Sequence, residues 1–202
     1  MAEIATLDRL LELIPDPGPK ASAKILDRLD EQALAFARRS PFLVMATDGE
    51  AGFELSPKGD DPGFVEIVDP RTLLIPERNG NQLTLGLRNI LANGRIGLML
   101  FRPATEEVLR ISGRARLLDD QDVCERLATR GKPAVLAIQV DVERAFFHCP
   151  RSIKRAGLWR PESWDAPTRV SMGAIIARAL ERPELKDAID KISDERNEQL
   201  WI

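Results

Sequence analysis

The sequence predicts a mainly β chain with inserted helices (β+α), and three observations carry that reading. Short apolar or alternating runs, about six of them, recur at spacings of roughly ten to twenty residues. Turn residues separate them. Segments with helical periodicity gather at the two ends of the chain, with only short ones between strands, so there is no βαβ alternation of the kind that builds a parallel sheet. A barrel or sandwich with helical insertions fits this pattern.

The elements follow in order. Ile4, Leu7, Leu10, Leu11 and Ile14 recur at helical spacing, and Pro15, Pro17, Gly18 and Pro19 stop that helix. A second helical pattern covers Ala23 to Arg39, with Ser22 as N-cap and Pro41 closing it. The first forty residues therefore read as a helical hairpin. Phe42 to Thr47 reads as a buried strand, and Gly52 to Ser56 returns as its hairpin partner. Phe64 to Val68 and Thr72 to Pro76 bracket the turn Asp69-Pro70-Arg71. Leu83 to Ala92 reads as a helix capped by Asn93-Gly94. Arg95 to Phe101, Val108 to Leu117 and Ala134 to Val142 are strands, and Asp120 to Arg130 is a helix. From Met172 onward the chain is helical and charged, broken at Pro183.

At 202 residues the chain reads as a single domain over 1–202: N-terminal helices to residue 40, the barrel over 41–148, and a C-terminal segment with helices over 149–202. With 29 Lys+Arg against 32 Asp+Glu, the net charge of −3 argues against nucleic acid as a partner. Scarce aromatics (5%) argue against stacking platforms for single strands. Two cysteines without a CxxC and a lone histidine, His148, leave no zinc site. No window is apolar enough for a membrane helix, and the first ten residues do not form a signal peptide. The expectation is a soluble cytoplasmic protein.

Four constellations could carry chemistry. Leu55-Ser56-Pro57-Lys58-Gly59-Asp60 ends a strand. It is either a turn with a solvated lysine or a backbone edge freed by Pro57, against which a flat ring could lie beside Lys58. Pro76 to Gln82 opens a helix. It is either a polar turn or an anion site built from helix N–H groups, Asn81 or Thr84, and Arg78. Arg110, Ser112 and Arg114 share one face of a strand, which is either wet or holds an anion. Phe146 to Trp159 concentrates positive charge at Arg151, Lys154 and Arg155 around His148 and Cys149. No Asn or Asp partner for a Cys–His pair is close in the sequence, so a nucleophilic site ranks low there.

Taken in order, Leu29-Asp30-Glu31, Ser40 to Val44, Leu55 to Asp60, Pro62 to Val65, Asp69 to Asn81, Leu87 to Asn93, Leu109 to Ala115 and Phe147-His148-Cys149 resemble the pyridoxamine 5′-phosphate oxidase-like FMN-binding split-barrel family. The likeness is greatest to a bacterial subfamily of FMN-dependent flavoproteins. It implies a six-stranded Greek-key split barrel in an obligate homodimer, with FMN at the subunit interface. It places Leu55, Ser56, Pro57, Lys58 and Gly59 along the isoalloxazine ring. Arg78, Asn81 and Gln82 would hold the phosphate. Arg110 and Ser112 would join them from a barrel strand, and Arg155 and Trp159 would lie in a segment that closes over the site. Gln82 and Leu83 stand where such relatives carry basic residues, which shifts the phosphate grip toward Arg78, Arg110 and Arg155.

The resemblance implies an FMN-dependent oxidoreductase that uses hydride chemistry at flavin N5 on a small substrate. The alternative is an FMN-binding or carrier protein without turnover. The arginine and histidine set that grips substrate phosphate in true pyridoxamine phosphate oxidases is not recognisable near the C-terminus. Oxidation of pyridoxamine phosphate is therefore not expected, and no residue is assigned a catalytic role.

Overall fold

The computed structural model describes residues 3–50, 52–80 and 82–198. The chain divides between Trp159 and Arg160 into two compact units, a boundary that falls inside the C-terminal segment expected from the sequence.

Helix α1 (Leu7–Leu13) begins where the Thr6 hydroxyl accepts the Arg9 N–H, and none of its residues is buried. α2 (Pro19–Ser22) is a single turn. α3 (Glu31–Ala37) starts at Asp30, whose carboxylate accepts the Ala33 N–H at 2.8 Å. The helix expected over Ala23–Arg39 is therefore broken, and the first forty residues do not form a helical hairpin. Tertiary pairing overrides the local period. Leu26 and Ala145 exchange backbone hydrogen bonds at 3.0 and 2.8 Å, and the Leu29 N–H reaches Pro70 O at 2.8 Å.

The next elements are β1 (Phe42–Gly49), β2 (Gly52–Gly59), β3 (Glu66–Asp69), β4 (Thr72–Glu77), α4 (Leu85–Asn93), β5 (Arg95–Phe101), β6 (Val108–Leu118), α5 (Gln121–Arg126), β7 (Leu136–His148) and α6 (Arg151–Ala156). The strands form one antiparallel sheet in the order β2-β1-β5-β6-β7-β4-β3. The fold is mainly β with helices, as expected, but the sheet has seven strands where the resemblance implies six. The short β3 folds back onto β4 through the Asp69-Pro70-Arg71 turn that the sequence marks. Gly94 ends α4 in the left-handed region (φ 68°), where an added Cβ would sit 2.9 Å from Ala115 O.

One face of the sheet is the core. Leu43, Leu73, Ile75, Leu100, Leu109, Ile138 and Val140 are fully buried there, together with Ala37 from α3. The other face of β2, β1 and β5 is apolar and open. Phe53 (77% exposed) and Leu55 (69%) stand on it beside Phe42 and Met99. In register across the sheet, Pro57, Val44, Met99, Arg110 and Phe146 form one row of that same face.

Two prolines lie in this sheet. Pro57 pairs with Val44 while the ladder runs on to Gly59, so it does not free the strand as expected. It is tolerated because β2 is an edge strand, and a proline nitrogen can occupy the unpaired flank. Pro76 pairs with Ala137, beyond the residues of β4 that β3 reaches.

The second unit holds α7 (Met172–Ala179) and α8 (Lys186–Glu198). Asp190 fastens them together. It accepts from the Ser171 hydroxyl (2.7 Å), the Gly173 N–H (2.8 Å) and the Lys186 ammonium (3.2 Å). The Ser171 and Gly173 hydrogen bonds lower its pKa to about 2. Among the described residues, no helix is long and apolar enough to cross a membrane.

Candidate functional site

In the sheet order β2 comes first and β4 sixth, yet the two approach each other around a cavity of about 440 Å3. Its walls are the outer half of β2, the end of β4 with the loop that follows, and the first residues of α4. The sheet curls until edge strand β2 faces the end of β4 that β3 leaves uncovered. Side chains rather than backbone bonds join them.

Two ion pairs make the junction. Lys58 of β2 donates to Glu77 of β4, and both side chains are buried, at 8% and 7% exposure. Asp60, two residues past Lys58, pairs with Arg78. Arg78 Nε and Nη2 both lie 2.9 Å from Asp60 Oδ2, and Nη2 also donates to Leu127 O at 2.9 Å. The second oxygen of Asp60 accepts from the Thr129 hydroxyl (3.1 Å) and the Asp61 N–H (2.8 Å). Arg78 Nη1 is left buried with no hydrogen-bond partner. A buried guanidinium donor without an acceptor is costly, and one on a cavity wall suits an acceptor carried in by a ligand.

The start of α4 adds a second donor set. Thr84 precedes it in the left-handed region (φ 53°), and its hydroxyl accepts from Arg88 Nε at 3.2 Å rather than capping the first turn. The N–H groups of that turn have no partner within the helix, and Leu85 and Gly86 line the cavity. The helix comes close because residue 86 is glycine. A Cβ there would lie 3.3 Å from Met45 Cε and 3.4 Å from Ser56 Oγ. Asn89, buried one turn further along the same side of α4, donates to Thr47 Oγ1 (3.4 Å) and Gly52 O (3.3 Å).

The cavity therefore gathers Leu55, Ser56, Pro57, Lys58, Gly59 and Arg78 from the sequence-expected set. Gln82 sits in the adjoining loop, where its N–H reaches Gly80 O at 3.2 Å. Asn81 lies outside the described residues. The remaining four are elsewhere in the chain. Arg110 stacks on Phe146, its guanidinium carbon 5.0 Å from the ring centroid. Ser112 Oγ accepts from Arg144 Nε at 3.4 Å. Arg155 is exposed on α6, and Trp159 donates to Thr105 O at 2.9 Å. Arg110 and Ser112 share the open sheet face with Leu55 and Pro57 instead.

Glu77 and Asp60 are site residues that the sequence reading did not assign. A signal existed for Glu77, which follows Leu73 and Ile75 at period two on the inward side of a strand. A carboxylate in that position requires a cation, and Lys58 ends the other strand that borders the loop.

The chain matches the pyridoxamine 5′-phosphate oxidase family over residues 29–149. Among curated proteins no relative matches. Several solved structures are similar. HupZ of Group A Streptococcus is 18% identical, covering 59% of this chain and 93% of that one, with a TM-score of 0.48. An FMN-binding protein from Syntrophomonas wolfei is 14% identical, covering 59% and 88%, at 0.46. General Stress Protein 26 from Bacillus anthracis is 12% identical, covering 56% and 88%, at 0.43.

Proposed function

Because the chain belongs to the pyridoxamine 5′-phosphate oxidase family, we propose that it is a flavoprotein that holds FMN in the cavity between β2 and the β4–α4 connection and acts as an oxidoreductase on a small substrate. The observation that carries this reading is the buried, unpartnered Nη1 of Arg78, a residue that lines the cavity together with Leu85 and Gly86 of α4. A phosphate oxygen is the acceptor that such a pair of donors suits. The cavity thus fits the group at its anionic end. At the other end, β2 offers a flat wall from Leu55 to Gly59 for a ring.

When bound, FMN supplies hydride transfer at N5. The protein's own share is binding and electrostatics. Arg78 and the α4 N–H groups hold the phosphate. Ser56 and the backbone of β2 orient the ring, and Lys58 presents a cation toward it. Asp60 keeps Arg78 in place with two bonds. The substrate proposed is a small molecule other than pyridoxamine phosphate.

We also propose a homodimer through the open face of β2, β1 and β5. Phe53, Leu55, Phe42 and Met99 make that face apolar, and a face of this kind is costly to leave in water. Its row continues to Arg110 and Ser112, so a second copy docked there brings those two residues to the interface. The experiment is direct. Protein purified and then supplied with FMN should show bound-flavin absorption bands and quenched flavin fluorescence. Anaerobic mixing with NADH or NADPH should bleach the flavin. Absence of any flavin uptake would refute the reading, and uptake without reduction by any donor would leave binding alone.

A further inference from the structure

We infer that Glu77 is a positioning residue that holds the Lys58 ammonium against the cavity and sets how much of its charge a bound flavin feels. The inference rests on the flavin reading above.

A lysine at the end of an edge strand can place its ammonium in water at little cost. Lys58 does not, although its strand has a free flank. It turns inward to Glu77, which ends β4 beyond the reach of β3. Such a pair is a poor stabilising device, because desolvation offsets most of the Coulomb attraction and apolar replacements often serve as well. Its place on the cavity wall supplies the reason for keeping it. Each wall cation has its own carboxylate: Glu77 for Lys58, Asp60 for Arg78. The Arg78 pair stands with the phosphate donors. The Lys58 pair stands on the strand that borders the ring. Glu77 therefore fixes the direction of the ammonium and cancels part of its field. An oxidised, neutral ring meets a balanced wall. A reduced ring that carries negative charge meets an ammonium already held in position.

The test uses full-length protein loaded with FMN and titrated by a chemical reductant beside a reference dye. This reads the ratio of affinities for reduced and oxidised flavin. Glu77→Gln removes the cancelling charge and should raise that ratio roughly tenfold. Lys58→Met leaves Glu77 unbalanced and should lower it by a similar factor. The double variant Lys58→Met/Glu77→Gln, which loses the held ammonium along with its partner, should fall between Lys58→Met and the parent, and Glu77→Asp, which keeps the charge, should stay near the parent. Should the single variants unfold, the uncharged double variant and Glu77→Asp still decide. A double variant whose ratio equals or exceeds that of the parent, or a Glu77→Asp ratio far from it, would overturn the inference. Unchanged ratios in all variants, with only thermal stability lowered, would reduce Glu77 to a structural role. A parent protein that takes up no flavin would overturn the flavin reading and this inference together, whereas a flavin-loaded parent with unmoved variants overturns this inference alone.

Discussion

Replacing Arg78 with alanine should damage FMN binding and stability by separable amounts. The guanidinium makes three contacts in the fold, two to Asp60 and one to Leu127 O, and keeps Nη1 over. Asp60 has a side chain 2% exposed and, without Arg78, retains only the Thr129 hydroxyl and the Asp61 N–H. Breaking a fully buried pair costs about 3–5 kcal/mol. Arg78 is 26% exposed, and water can reach part of the gap, so about 2–3 kcal/mol is the better figure. At about 2–4 °C per kcal/mol for a chain of this size, Tm should fall about 4–12 °C. The lost Nη1 donor should weaken FMN by about 1.5–3 kcal/mol, or roughly ten- to a hundredfold. Riboflavin lacks the phosphate and should bind as before. The assay is a fluorescence titration of parent and variant with each flavin, held well below both melting temperatures. Adding Asp60→Asn to Arg78→Ala removes the stranded charge, so stability should recover while the FMN defect stays. Equal losses for FMN and riboflavin would refute the assignment of Nη1 to phosphate. A double variant that regains FMN affinity along with stability would show that Arg78 acts only through the fold.

Sedimentation should give a dimer at micromolar concentration, and Leu55→Glu on the open sheet face should shift it to monomer; a parent protein that sediments as a monomer would rule the dimer out. In the second unit, Asp190 has a lowered pKa, so its clasp on Ser171 and Gly173 is intact above about pH 4 and weakens as pH falls toward about 2. Helical signal from a chain carrying Asp190→Asn should lose that acid dependence, and an identical acid profile would assign the transition to other groups. Cys149 is exposed, whereas Cys124 is buried and its thiol pKa is raised by desolvation and by Asp120 and Asp119. A thiol reagent should therefore label one site quickly and the second only under denaturant; two fast sites would place Cys124 in contact with solvent.

Strands were legible in the sequence wherever alternation or an apolar run sat between turn residues. Arg95 to Phe101 is matched to the residue, because Gly94 and Arg102-Pro103 fix its ends. Legibility failed where a long-range partner outbid local periodicity. Ile25, Leu26 and Leu29 fall at helical spacing, but Leu26 is drawn into pairing with Ala145 and Leu29 toward Pro70. The cavity was half legible. Pro57, Lys58 and Arg78 announce themselves by type and by turn context. That Glu77 and Asp60 would claim the two cations depends on β2 meeting the end of β4, five strands away in the sheet, and no local pattern encodes that meeting. Arg110 and Ser112 were correctly read as sharing a strand face. On β2 that face reaches the cavity at Leu55 and Pro57, but Arg110 and Ser112 stand farther across the sheet and do not line it.

The positions of Pro57 and Pro76 bear on why the sheet stays open where it does. A hydrogen-bonded barrel closes when its first and last strands zip together, N–H to carbonyl. Here each facing rim carries a residue with no N–H to offer, one on β2 and one near the end of β4. Lysine and arginine reach across between the rims, and a missing donor on a facing flank disfavours a continuous ladder there. The slot is thus favoured by the backbone, and side chains that can be exchanged bridge it. The same missing donors make both rims poor templates for a stray strand from another chain.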